Sequence, residues 1–424
     1  MTIEQEQLLG NQPEYLDQQF HLMLLVARLL VQYSAATERV YRAIDGLAAK
    51  FRLEARLFVD YKAITLTTKN GNEFASRFSK SIPVMSINMA VITQIFRLLE
   101  QIKQGQKSLE QALEELEKIA KISASYSRFL VVLMLAIAAG SLARIFQGDW
   151  QTCLITGVAT AFGTIVRQEL AARKFNLFLI TFIVAFAGGI ISGVAIQLNW
   201  TTTSAICLLV PSMMLVPGVH LINGILDLVE NHILVGIARL GLSLVILSAI
   251  TFGLLLAAAM TNNLIPVTSS IPPLTLPEDI FFAGLVAAGF AISFNVPKKM
   301  LWACILCGMV GHGARWLCIQ SSPGIIWGNL IASTTVGLMT MYFSRRFHAP
   351  SAAIAFGAVV GMIPGMFVFE ACSGLIQIVS VGAKASLPLV ANTLATATKA
   401  ILMTLGLSLG LALPTLVLFY KDQE

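Results

Sequence analysis

Two small groups of ionisable and amide residues lie in stretches of this chain that are otherwise apolar, and each group follows a Pro-Gly pair. After Pro217-Gly218 come His220, Asn223 and Asp227, spaced i, i+3 and i+7. That spacing puts all three on one face of a helix. Arg239 lies deep in the next apolar stretch and has Asp227 as a plausible partner. After Pro364-Gly365 comes Glu370, and the last apolar stretch adds Asn392 and Lys399, again seven apart. Polar groups at membrane depth are costly, so they mark sites or relays. A zwitterion needs a cation or a helix N-terminus for its carboxylate, and an acid or carbonyl for its ammonium. This set supplies both, and Glu370 is also a candidate proton carrier. The candidate substrate-binding residues are therefore Pro217, Gly218, His220, Asn223, Asp227, Arg239, Pro364, Gly365, Glu370, Asn392 and Lys399. A structural reading stands beside this one. Asp227 can sit in a solvated connection with Glu230 and His232, His220 can bridge two helices, and Arg239 and Lys399 can pair or snorkel.

The Pro-Gly pairs must position these groups. Proline removes a backbone donor and glycine relaxes the chain, so each helix should break there. Backbone groups freed inside a bilayer need protein, water or substrate partners. Pro217 follows Arg167 by 50 residues, and Pro364 follows Arg315 by 49. An offset of 147 carries Pro217 to Pro364, Gly218 to Gly365 and Asn223 to Glu370. Matching interrupted helices in two halves of a chain point to a transporter's binding site.

Composition agrees. The 424 residues are 56% apolar and 12% charged, with a mean hydropathy of +0.76. Residues 1–127 hold 15 Lys/Arg and 14 Asp/Glu, leaving 14 and 9 for the remainder. A nearly neutral, water-compatible segment thus precedes a hydrophobic one. From residue 129 onward, apolar stretches lie near 129–147, 150–166, 175–198, 202–226, 233–259, 280–296, 300–318, 323–343, 350–382 and 388–420. These predict about ten spans of roughly 20 residues. Residues 260–279, rich in Pro, Ser and Thr, divide them five and five.

The opening residues are polar and acidic, without the basic and apolar regions of a signal peptide. With the N-terminus inside, Arg167, Arg173, Lys174, Lys298, Lys299, Arg345 and Arg346 fall in inward connections. Only Arg144, Arg315 and Lys384 fall in outward ones. The expectation is a plasma (inner) membrane protein with both termini cytoplasmic. Five spans is an odd number, so a repeated half must be inverted. The expected fold class is an α-helical polytopic membrane protein, with about ten transmembrane helices forming two inverted five-helix repeats. The expected domains are a cytosolic segment over 1–127, a first repeat over 128–260, an extracytoplasmic linker over 261–279 and a second repeat over 280–424.

The first segment reads as small and α+β or helical. Residues 18–52 have helical periodicity, 53–68 read as one or two strands, Lys69-Asn70-Gly71-Asn72 as a hairpin turn, and 73–78 as a returning strand. Helices are expected over 84–104 and 109–122, the second opened by a Ser108/Gln111 capping box.

The chain has no G-x-S-x-G, Walker loop, HExxH or Rossmann fingerprint. Enzyme activity is not expected, and no cofactor or metal is implied. Cys304 and Cys307 form a CxxC inside an apolar stretch, without a second pair at zinc spacing, and read as packing residues. The basic residues lie at the ends of spans rather than on one face, which argues against nucleic acid as a partner. The implied partners are a small-molecule substrate, protons and the lipid bilayer, with a homo-oligomer left open.

These residues together resemble the threonine/serine exporter family. LLVQYSAATERVYRAIDGLAAKFRLEARLFVDYKAITLTT is similar to that family's soluble entry segment, and SLEQALEELEKI to its pre-membrane helix. VPGVHLINGILDLVENHILVGIARL resembles its first-half signature, and Pro364-Gly365 fits the second half. The resemblance covers essentially the whole chain. It implies a secondary transporter exporting small polar amino acids, threonine and serine, by antiport against protons. Ile225-Leu226 and the MFVFEACSG segment depart from the family pattern, which keeps a dicarboxylate exporter of the same fold as an alternative. A membrane-embedded enzyme or a channel is the alternative of another class.

Overall fold

The computed structural model describes residues 13–60, 62–70, 73–79, 82, 86–122, 125–263, 274–321, 324–347 and 349–421. Gly71 and Asn72 of the expected turn, and 264–273 of the expected linker, lie outside the described residues.

The helical stretch expected over 18–52 is two helices, α1 (Pro13–Gln32) and α2 (Thr37–Phe51). The chain turns between them at Ser34, whose φ of 65° is left-handed. The amides of Ser34 and Ala35 close α1 by bonding the carbonyls of Val31 and Leu30. Hydrophobic periodicity runs through this short turn, which is why it is invisible as a boundary.

An antiparallel sheet follows in the order β1 (Glu54–Val59), β2 (Ile64–Asn70), β3 (Glu73–Phe78). Ile64 and Leu66 of β2 are fully buried, as are Leu22, Leu30, Ile44 and Leu47 of the helices above. Helix α3 (Met89–Lys103) begins five residues later than position 84, because Asn88 caps it by accepting from the Val91 amide. Helix α4 (Leu109–Ala120) starts at the expected Ser108/Gln111 capping box.

The rest of the described chain is helical. The first half contains α5 (Arg128–Ile145), α6 (Trp150–Ala172), α7 (Leu177–Gln197), α8 (Ser204–Met213), α9 (Gly218–Val229) and α10 (Ile233–Met260). The second contains α11 (Leu276–Ser293), α12 (Leu301–Gln320), α13 (Gly324–Phe347), α14 (Ala352–Val359), α15 (Gly365–Val381) and α16 (Leu387–Lys421). Among the described residues eight helices are long and apolar enough to cross a membrane, or nine if the bent pair α8–α9 counts as one span. Leu244, Phe252, Leu338, Leu394 and Ile401 stand exposed along these helices. Such an apolar outer surface suits lipid rather than water. The protein is a polytopic membrane protein.

The two halves pack alike. In the first, α5 lies on α6, α6 on α7, α7 on α10 and α9 on α10. In the second, α11 lies on α12, α12 on α13, α13 on α16 and α15 on α16. Both third-to-fifth contacts close on a glycine of the fifth helix. A Cβ on Gly253 would strike the Phe182 carbonyl, and one on Gly410 the Leu330 carbonyl. Small residues let membrane helices approach this closely. Across the halves, α5 packs on α11, α9 on α16, and α10 on α15.

Candidate functional site

Both Pro-Gly pairs break helices, and they do so with one geometry. Helix α9 starts from Pro217 (φ −78°, ψ 60°) and α15 from Pro364 (φ −76°, ψ 45°). The Gly218 amide donates to the Val216 carbonyl at 2.8 Å, and the Gly365 amide to the Ile363 carbonyl at 2.8 Å. The preceding turns match too. Val216 donates to Met213 at 3.2 Å, and Ile363 to Val360 at 3.2 Å. In the first half the helix axis bends by 64° at the break.

The two elbows meet. A Cβ on Gly218 would run into Cδ1 of Ile363, and a Cβ on Gly365 would lie 3.3 Å from Cγ2 of Val216. Val216 and Ile363 are themselves 147 residues apart. The contact is therefore reciprocal, with each glycine facing the residue that precedes the other half's proline.

Asn223 and Glu370, at equal distances beyond their elbows, are both 1% exposed. His220 is also buried. Asp227 and Arg239 form the expected pair, with Oδ2 to Nη1 at 2.9 Å and side chains 0% and 1% exposed. Lys399 lies over the ring of Phe367, 5.2 Å from its centroid. Asn392 is exposed.

What the sequence did not indicate is the partner of the first cluster. The Ser34–Thr37 turn inserts among its side chains. The Asn223 amide donates to the Ser34 carbonyl at 2.8 Å. Arg239 donates to the Ala35 carbonyl at 2.7 Å. The Thr37 amide donates to Asp227 Oδ1 at 3.1 Å. Helix α2 has no side-chain cap of its own, because its N-cap residue is Ala36. Asp227 supplies that cap from another part of the chain, placing an anion at the positive end of the helix.

Helix α2 is tied down further along its length. Glu38 and His232 approach to 3.0 Å, Tyr41 stacks on the His232 ring at 4.9 Å, and Arg39 donates to Ser351 Oγ at 2.6 Å. Helix α3 is held as well: the Met89 amide donates to the Phe294 carbonyl, and Arg97 to that of Phe347. Burial, reinforced by the carboxylates of Glu38 and Asp227, holds Glu230 in this connection above the usual carboxylate range. Glu38 is also raised by burial, but its bonds from Arg42 and His232 outweigh this and hold it below that range.

A separate cavity, between α5, α6, α7 and α8, is lined by Thr160, Thr164, Arg167, Pro211 and Met214. The two threonines line α6, and nothing in the hydrophobic pattern distinguished them.

Two family models cover this architecture. A threonine/serine exporter model matches residues 21–261, more than half of the chain. The chain belongs to the threonine/serine exporter family. A second threonine/serine exporter model matches residues 279–417, so both parts of the family are present in one exporter chain. No solved structure matches it. The first match begins within α1, so the Ser34–Thr37 turn and the Asp227–Arg239 pair lie inside one family unit. The second holds the other elbow, with Glu370. The exporter's two elbows thus come from different family units and meet at their boundary.

Proposed function

We propose that this exporter moves threonine and serine out of the cell by secondary active transport driven by protons. The observation that carries the reading is the reciprocal contact of two elbows with one backbone geometry. It supports two inverted five-helix repeats, with ten spans in all and the substrate path at their interface. Asn223 offers hydrogen bonds on one side of that interface and Glu370 a protonatable acid on the other. The reading keeps residues 1–127 as a cytosolic domain and both termini inside the inner membrane. In support, the connections 230–232, 294–296 and 347–351 all hold the N-terminal unit, and all three are inward connections in the topology drawn from Lys/Arg placement.

In this reading the Ser34–Thr37 turn closes the inward end of the path. It presents two carbonyls and an amide to Asn223, Arg239 and Asp227, the groups suited to an amino acid's ammonium and carboxylate. Loading from the cytoplasm then requires the turn to withdraw. A dicarboxylate would want two uncompensated cations. Arg239 is matched by Asp227, which favours a zwitterion. Uptake of labelled threonine, serine and succinate into inverted vesicles, with and without a proton gradient, tests the proposal. Succinate uptake in place of threonine would replace the substrate, and indifference to the gradient would remove proton coupling.

A further inference from the structure

A second buried ionic cluster lies elsewhere in the fold, on the first turn of α11 and the later turns of α12. His312 Nδ1 lies 3.1 Å from Asp279 Oδ2, and the residues are 3% and 8% exposed. A carboxylate only accepts, so Nδ1 carries the hydrogen, and in the neutral ring Nε2 keeps its lone pair. That Nε2 is buried and has no hydrogen-bond partner among the described residues. Gly311 and Gly313 flank the ring. A Cβ on Gly313 would lie 3.3 Å from Ile280, so α12 is pressed closely against α11 here.

The surrounding charges are few. On α12, Arg315 lies near enough to interact with Asp279. On α11, Glu278 is drawn to Arg144 of α5 at 3.6 Å. The Trp316 indole donates to the Leu274 carbonyl at 2.6 Å beside them. Helix α14 carries no charged residue, and those of α13, Arg345 and Arg346, sit at its opposite end.

We propose that His312 and Asp279 form a proton-binding site, the point at which this exporter takes up its driving proton. The inference rests on the proton-coupled reading above. In the topology proposed there, α11 begins and α12 ends on the outer side, facing the proton source. A proton from external water binds the Nε2 lone pair. The other hydrogen stays on Nδ1, still donated to Asp279, whose carboxylate balances the imidazolium charge. Release toward the inside returns the neutral ring. A histidine buried without such an acid would resist charging, and an acid without the histidine would have no internal acceptor for a second state.

The test uses the full-length exporter in right-side-out and inverted proteoliposomes. H312Q should keep threonine exchange within about twofold of the wild type, and lose at least about tenfold of the accumulation driven by a pH gradient. Imidazole nitrogen shifts of the full-length protein, with His312 assigned by its absence in H312Q, should differ between acid and alkaline buffer, with the hydrogen on Nδ1 in both. Gradient-driven accumulation by H312Q equal to the wild type, or a wild-type His312 signal identical in the two buffers, overturns the assignment. The nitrogen titration needs no functional variant, so it decides the case even if H312Q folds poorly. If the wild type itself gains nothing from the gradient, proton coupling falls and this assignment falls with it. If the wild type is driven and H312Q is driven equally, only the assignment falls.

Discussion

Gly218 faces the Ile363 side chain across the interface between the two halves, and there is no room between them for a Cβ. The opposite contact, Gly365 against Val216, is looser by comparison, with 3.3 Å available to a Cβ. Substitution should therefore be asymmetric. The obstacle at Gly218 is the tip of a flexible side chain, so G218A should transport at reduced rate, and G218L should insert normally but not transport. G365A should be nearly silent. I363A should restore part of the activity of G218A by opening the space its methyl needs. Initial rates of threonine uptake, normalised to protein in the membrane, check this; equal rates for G218L and the wild type would make the elbows mere packing.

Removing the Asp227 charge takes the carboxylate away from Arg239, which is fully buried and donates to the Ala35 carbonyl. Breaking a buried pair from one side costs about 3–5 kcal/mol. D227N keeps an oxygen to accept from Thr37, so it separates charge from capping. D227N and D227A should both loosen the N-terminal unit, with D227A the worse by about 1 kcal/mol for the lost cap. Hydrogen exchange at the Thr37 amide should rise in both. Unchanged protection there would show that α2 is held by its other contacts.

Glu370 and Asn223 occupy equivalent positions with different chemistry. E370Q keeps the shape and loses the titration, so it should retain threonine exchange while losing gradient-driven accumulation. N223A removes hydrogen bonds only and should weaken threonine binding, about tenfold for one bond to a charged group, with or without a gradient. Accumulation by E370Q with unaltered pH dependence would take Glu370 out of the path of the proton taken up at His312.

The docking of α2 should also depend on pH through Glu230. Its carboxyl is held above the ordinary range in the folded protein, so the docked state disfavours the charge. The resulting penalty is absent below the ordinary carboxylate pKa of about 4.3. It grows as pH rises through the raised value and is complete above it. E230Q should therefore raise the melting temperature at pH 7, by on the order of a degree or two, with the difference vanishing near pH 4. Glu38 acts in the opposite sense: its lowered pKa adds stability above the ordinary value, lost as pH falls through the folded one. Melting curves of wild type and E230Q from pH 4 to 8 decide the sign.

Much of this exporter is written locally. Hydropathy alone predicts the membrane helices, because lipid demands continuous apolar runs. Pro217-Gly218 and Pro364-Gly365 predict the breaks, because the missing donor acts on the residue's own helix. Ser108 and Gln111 predict the start of α4 for the same local reason, since cap and capped amide are three residues apart. The pairing of Asp227 with Arg239 was legible because Arg239 is the one ion in its apolar stretch and Asp227 stands at the end of the stretch before it.

Periodicity describes which residues share a face, never what that face will meet. Only the tertiary structure decided that the two elbows touch, that Asp227 caps a helix 190 residues away, and that Asp279 reaches His312 on the next helix. The Ala36 N-cap was the one local sign of the second, a helix start lacking its own acceptor. Lone carboxylates and imidazoles in apolar runs declare that partners must exist, because burial without them is too costly. Which partners they find depends on packing between distant segments, and that is set by the shape of every helix at once.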